Sequence, residues 1–118
     1  MLKVLLAEDD ATMVSLLKTL LKMEGFEVVS LDSDADVVEA VRRERPDVLL
    51  MDVHLSDQNG LDVLKSLREA EREEGNRVRV VMTSGLNVEQ ECRDRGADEF
   101  LLKPFMPDDL IAILKNNK

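Results

Sequence analysis

Three carboxylates and one lysine stand out in this chain because of where they fall. Glu8, Asp9 and Asp10 follow the apolar run Leu2–Ala7, Asp52 closes Val48–Met51, and Lys103 is the one charge within Phe100–Met106. Thr83 and Ser84 end another apolar run that begins at Val78. If these runs are parallel strands, their carboxyl ends share one sheet edge, where open α/β sheets bind ligands. Clustering Glu8, Asp9 and Asp52 there is costly. Two like charges about 4 Å apart repel by roughly 4 kcal/mol at an effective dielectric near 20. The cluster therefore calls for a cation or a retained proton. Hard oxygen donors with open positions suit Mg2+, which keeps several waters and binds one or two carboxylates together with a phosphate. Asp10 reads better as a helix cap. Lys103, if buried, needs an anion, and Asp52 is the expected partner. The Thr83 hydroxyl could donate to a phosphoryl oxygen. Alone, Thr83 would be an ordinary strand residue and Lys103 a snorkelling strand-end lysine; their company gives them chemistry.

The elements that position these residues follow from switching hydrophobic periods. Leu2–Ala7, Phe26–Ser30, Val48–Asp52, Val78–Thr83 and Phe100–Leu102 are short apolar runs expected to be strands. Between them lie helical patterns. Met13, Leu16, Leu17, Leu20 and Leu21 make an apolar face after the Asp10 cap, stopped by Gly25. Ser33 can cap a helix carrying Val37, Val38 and Val41 and ended by Pro46. Gly60 opens a third helix with Leu61, Leu64 and Leu67 inward; its continuation, Arg68–Glu74, is charged on every side and is expected to be solvated or frayed. Asn87–Arg95 is a weak fourth helix with Val88 and Cys92 as its apolar pair, and Leu110, Ile111 and Leu114 mark a fifth. All five glycines fall at element boundaries. Strands alternating with helices predict an α/β domain with a parallel sheet.

Composition bounds the possibilities. The chain has 118 residues, 44% of them hydrophobic, which excludes a disordered acidic tail. One compact domain spanning 1–118, with a radius of gyration of about 13–14 Å, is expected. The single Cys excludes a disulfide framework and a cysteine zinc site. Cys92 and the methionines are expected to pack as core. With 16 basic against 25 acidic residues the net charge is −9, which disfavours nucleic acid and anionic membranes as partners. No apolar run suits a membrane span and no signal peptide opens the chain, so a cytoplasmic protein is expected. No Gly-x-Gly-x-x-Gly or Walker-type loop is present, which removes nucleotide-binding readings. His54 is the only histidine, so a histidine metal cluster is excluded.

Six stretches in register resemble the receiver domain of two-component response regulators. They are Leu-Leu-Ala-Glu8-Asp9-Asp10, Leu-Leu-Met-Asp52-Val-His-Leu, Asn59-Gly60-Leu-Asp-Val-Leu, Val-Val-Met-Thr83-Ser84, Gly96-Ala97-Asp98 and Phe100-Leu-Leu-Lys103-Pro104-Phe105. The resemblance implies a flavodoxin-like (βα)5 sandwich with strand order 2-1-3-4-5. It implies that Asp52 accepts a phosphoryl group from a histidine kinase or phosphotransfer protein. Asp9 and Asp52 would ligate Mg2+ directly, Glu8 through water, and His54 through its backbone carbonyl. Lys103 would pair with Asp52 and then with the phosphate. Thr83 would move toward the phosphoryl oxygens and let Phe100 turn inward, and the Lys103–Pro104 peptide would be cis. Such a protein catalyses its own aspartyl phosphorylation and dephosphorylation and is not a turnover enzyme. It signals to a downstream effector through the face of the fourth helix, fifth strand and fifth helix, as a monomer or weak homodimer.

The chain departs from the family pattern in places. Ser56 stands where proline is usual, which predicts a looser loop after Asp52. His54 and Gly85, two positions beyond Asp52 and Thr83, flank the route of attacking water and so bear on phosphoryl lifetime. Phe100 replaces a frequent tyrosine. The Thr83–Gly96 segment is shorter than usual by about half a helical turn, which predicts a short or irregular fourth helix. Two other readings compete. A phosphorylation-independent pseudo-receiver would bind partners constitutively, but the set Glu8, Asp9, Asp52, Thr83 and Lys103 is complete. A Mg2+-dependent phosphohydrolase built on Asp52-Val-His54 would place a second aspartate where His54 stands. Direct DNA binding is not expected, given the charge and the lack of an output segment after Lys118.

Overall fold

In the computed structural model, which describes residues 1–32 and 34–116, strands and helices alternate along the whole chain. They are β1 (Lys3–Ala7), α1 (Ala11–Met23), β2 (Glu27–Leu31), α2 (Val37–Glu44), β3 (Val48–Asp52), α3 (Gly60–Glu74), β4 (Arg79–Ser84), α4 (Glu89–Asp94), β5 (Glu99–Leu102) and α5 (Pro107–Lys115). The strands form one parallel sheet in the order β2-β1-β3-β4-β5. Each strand lies within a residue of its expected place. Helices cover both faces, so β1 and β3 are apolar on both sides and alternate residues enter two cores. Leu49, Met51, Leu64, Leu67, Val80 and Met82 belong to one, and Leu6, Leu21, Leu50, Val81, Leu110 and Leu114 to the other. The Cα radius of gyration is 13.0 Å.

Local chemistry sets the element ends. Asp10 caps α1 by accepting from the Met13 amide at 3.1 Å. Ser33, the expected cap of α2, lies outside the described residues, as do Asn117 and Lys118. Asp36 caps α2 instead, accepting from the Glu39 amide at 3.1 Å. Asn59 caps α3, and Gly60 follows as its first residue. A Cβ on Gly60 would stand 2.4 Å from the Asp52 carbonyl oxygen and 2.9 Å from Val53 Cα. Glycine is required there because α3 starts directly against the end of β3.

Four expectations need correction. Leu16 is 61% exposed. At about 100° per residue the buried face of α1 runs through Val14, Leu17 and Leu21, which turns position 16 to the far side. Of the methionines, Met51 and Met82 are core, whereas Met1, Met23 and Met106 are exposed. Arg68–Glu74 is neither frayed nor wholly solvated: α3 runs unbroken to Glu74 and ends at Gly75 in the left-handed conformation, φ 81°. Glu71 is buried and Arg68 is half-buried in an ion-pair network. Arg68 bonds Glu71 at 2.6 Å and Asp98 at 3.0 Å, and donates to the Val78 and Gly96 carbonyls. Gly96 (φ 107°) makes room for it; a Cβ there would stand 2.8 Å from Arg68 Cγ. The fourth correction, at Ser56, belongs to the site.

Helix α4 is short, as the segment length predicts, with six residues and no side-chain cap. Cys92 is fully buried with Val88 packed against the same core. Burial pushes its thiol up to about 11, so it behaves as a small apolar group.

Candidate functional site

Four strand ends meet at one sheet edge. Asp52 ends β3 opposite Thr83 of β4, and Thr83 is in turn opposite Leu101 of β5, two residues before Lys103. Glu8 follows β1, which pairs with β3 on the other side. Pleating and parallel register therefore bring together residues that are 95 positions apart. Lys103 Nζ donates to Glu8 Oε1 at 2.7 Å and to Asp52 Oδ2 at 2.7 Å. Glu8, Asp52 and Thr83 are all buried. The Lys103–Pro104 peptide is cis.

The remaining carboxylate oxygens have their own partners. Glu8 Oε2 accepts from the Asp9 and Asp10 amides at 3.1 and 3.3 Å. Asp52 Oδ1 accepts from the His54 amide at 3.0 Å. Asp9 is held differently: its Oδ2 accepts from the Ser56 amide at 2.6 Å and from the Ser56 hydroxyl. Ser56 therefore does not loosen the loop after Asp52. Unlike proline, serine keeps a backbone N–H, and its hydroxyl adds a second donor, so the loop is tied back to the β1 end. His54 is exposed and forms an isolated antiparallel bridge with Asn59, and Gly85 is exposed beyond β4. Phe100, opposite Met82, is half-buried against the core cluster on the Met82 side of the sheet.

Electrostatics follow the charge count of two buried carboxylates around one ammonium. Burial lowers the affinity of Lys103 for its proton, but hydrogen bonds to Asp52 and Glu8 together outweigh it, and the net shift is upward. Burial also raises the Glu8 carboxyl, and the Asp52 charge adds to this against the pull of Lys103. The Ser56 hydroxyl is the largest cause holding the Asp9 carboxyl below its usual value. Among the described residues, no group of three or more His, Cys, Asp or Glu side chains is placed to hold a metal ion. The expected three-carboxylate cluster is thus divided: Glu8 and Asp52 share Lys103, and Asp9 is clasped by Ser56. Mg2+ nevertheless fits the chemistry of the donor set. Asp9 and Asp52 offer hard oxygens from adjacent strand ends, and one ammonium leaves the site with excess negative charge. An open cleft of about 640 Å³ runs from Glu8, Asp9 and Ser56 along α1 past Lys18 and Lys22. Ser56 is the site residue whose role the sequence reading missed; its two donors were the available signal.

A five-stranded parallel sheet in this order is the flavodoxin-like doubly wound arrangement. The response regulator receiver domain model matches residues 4–115, and the chain belongs to that family. It is 32% identical over 113 residues to the DNA-binding response regulator MtrA of Mycolicibacterium paratuberculosis, covering 93% of this chain and 48% of that protein. It is 36% identical over 116 residues to the transcriptional regulatory protein CpxR of Escherichia coli, covering 96% of this chain and 47% of that protein. The chain spans about half the length of these curated relatives. Among solved structures it is similar to the BeF3-activated receiver domain of Klebsiella pneumoniae RstA, at 25% identity and TM-score 0.83, covering 98% of this chain and 97% of that one. It is also similar to the receiver domain of the sensor histidine kinase PA1611 of Pseudomonas aeruginosa, described with a magnesium ion in the active-site cleft. That match has 26% identity and TM-score 0.82, and covers 98% of this chain and 96% of that one. The chain is a receiver domain of the two-component response regulator family.

Proposed function

We propose that Asp52 accepts a phosphoryl group from a histidine kinase or phosphotransfer protein, with Mg2+ held by Asp9, Asp52 and the His54 carbonyl and by Glu8 through water. The observation that carries this reading is the 2.7 Å contact of Lys103 with Asp52 at a buried, acidic strand end. Asp52 attacks phosphorus with a carboxylate oxygen. The new O–P bond forms as the donor's P–N or P–O bond breaks, and the departing group keeps the electron pair. Mg2+ would supply charge neutralisation on the phosphoryl oxygens. Lys103 already touches the attacking carboxylate and stays to pair with the added oxygens. Burial of Asp52 and Glu8 strengthens these interactions by excluding water. The acyl phosphate replaces the charge of the Asp52 carboxylate, so the modification adds about one net negative charge, together with three strong acceptor oxygens, at one sheet edge. Thr83, opposite Asp52, answers that charge with its hydroxyl. Its β5 partner Leu101 adjoins Phe100, whose half-buried ring links the event to the α4–β5–α5 face and so to a downstream effector.

The domain acts as a switch rather than a turnover enzyme, in the cytoplasm and as a monomer or weak homodimer. With a net charge of −9 it makes no direct contact with nucleic acid or membrane. Among the described residues no helix is long and apolar enough to cross a membrane. Acetyl phosphate with Mg2+ is expected to add one phosphoryl group to the wild type, read as intact mass. EDTA and Asp52→Asn should each abolish the addition. Equal labelling of Asp52→Asn would remove Asp52 from this role.

A further inference from the structure

We propose that Ser56 is a positioning residue for the cation site: its clasp on Asp9 preassembles the loop that carries Asp52 and His54 against the end of β1. The inference rests on the reading of Asp9, Asp52 and the His54 carbonyl as cation donors. Two donors of one residue converge on one oxygen, Asp9 Oδ2, across 47 positions of chain. Oδ1 is not engaged by Ser56. The rest of the loop is held to the end of β3 and closed on itself: the His54 amide bonds Asp52 Oδ1, His54 bridges Asn59, and the Gly60 amide donates to the Val53 carbonyl at 2.7 Å. Ser56 is where this unit reaches across to Asp9, so all three donors are held relative to one another by two sets of hydrogen bonds.

The nature of the clasp favours preorganisation over competition. Lys103 bonds Glu8 and Asp52. Asp9 is instead held by neutral donors, which orient a carboxylate while leaving its formal charge for a cation. Hydrogen-bonding partners of ligating carboxylates commonly set metal affinity in this way. Because Ser56 is exposed at the rim, its side chain contributes little to the core.

The test is an NMR titration of the whole chain with Mg2+, following amides across residues 52–56 in the wild type, Ser56→Ala and Ser56→Thr. Ser56→Ala keeps the amide donor and loses the hydroxyl; it should weaken Mg2+ binding about tenfold while staying folded, read as an amide spectrum that keeps its native dispersion outside residues 8–10 and 52–60. Ser56→Thr keeps both donors and should bind Mg2+ as the wild type does. Unchanged or tighter binding by Ser56→Ala overturns the proposal, as does Ser56→Thr binding as weakly as Ser56→Ala. A wild type that fails to bind Mg2+ at all overturns the cation-site reading itself.

Discussion

One ammonium between two buried carboxylates sets the charge balance on which the chemistry depends. At residue scale, Lys103 makes burial of Glu8 and Asp52 tolerable, and on the proposed function it is also the cation that meets the incoming phosphoryl group. Its pKa is raised in the folded state, so the stability it supplies is present below its ordinary 10.5 and is lost as pH rises through the higher folded value. Asp9 has the opposite sign. Its carboxyl is depressed, so its contribution is present above the ordinary 3.8 and lost as pH falls through the folded value. Urea midpoints on either side of pH 10.5 should show an alkaline loss in the wild type that Lys103→Met lacks. Equal losses in both proteins would contradict the pairing. The gathering of Glu8, Asp9, Asp52, Thr83 and Lys103 at one sheet edge was legible in sequence because each is a polar residue ending an apolar run. Ser56 was not, since its partner lies on another strand end.

At element scale, two contacts hold the site's supports in place. Helix α3 begins against β3 because Gly60 carries no Cβ. Gly60→Ala forces a backbone clash with Asp52 and Val53 and should cost about 2 kcal/mol, the middle of the overpacking range, measured by urea denaturation. A cost near zero would mean that α3 shifts freely. The second support is the Arg68 network, which ties α3 to the start of β4 and to the turn between α4 and β5. Glu71 accepts the Val78 amide at 2.7 Å, and Asp98 accepts the Val80 amide at 2.8 Å. Arg68→Met leaves a buried carboxylate at Glu71 without its cation and should destabilise by about 3 kcal/mol. A variant as stable as wild type would show the network to be dispensable. The charge pattern of Arg68–Glu74 concealed all this, because the burying partners, Gly96 and Asp98, lie some thirty residues away. Helical period likewise located α1 but placed Leu16 on the wrong side, since a five-residue apolar set overstates a face that tertiary packing narrows to Val14, Leu17 and Leu21.

At the scale of the molecule, a sheet sandwiched by helices buries its apolar residues in two cores and leaves the carboxyl edge as the place where charge collects. Alternation of strands and helices was legible from hydrophobic period alone; the strand order came from the family resemblance, because periodicity does not say which strands are neighbours. The net charge of −9 divides accordingly. Much of it is interleaved with basic residues on helix faces, while Glu8, Asp9 and Asp52 concentrate at one edge with Lys103. The most direct test of that edge as a phosphoryl site is borohydride trapping after incubation with acetyl phosphate and Mg2+, since reduction of an aspartyl phosphate leaves homoserine in its place. Peptide mass mapping should find homoserine at position 52 in the Mg2+-treated wild type and not after EDTA. Homoserine at another aspartate, or none with Mg2+ present, would contradict the assignment.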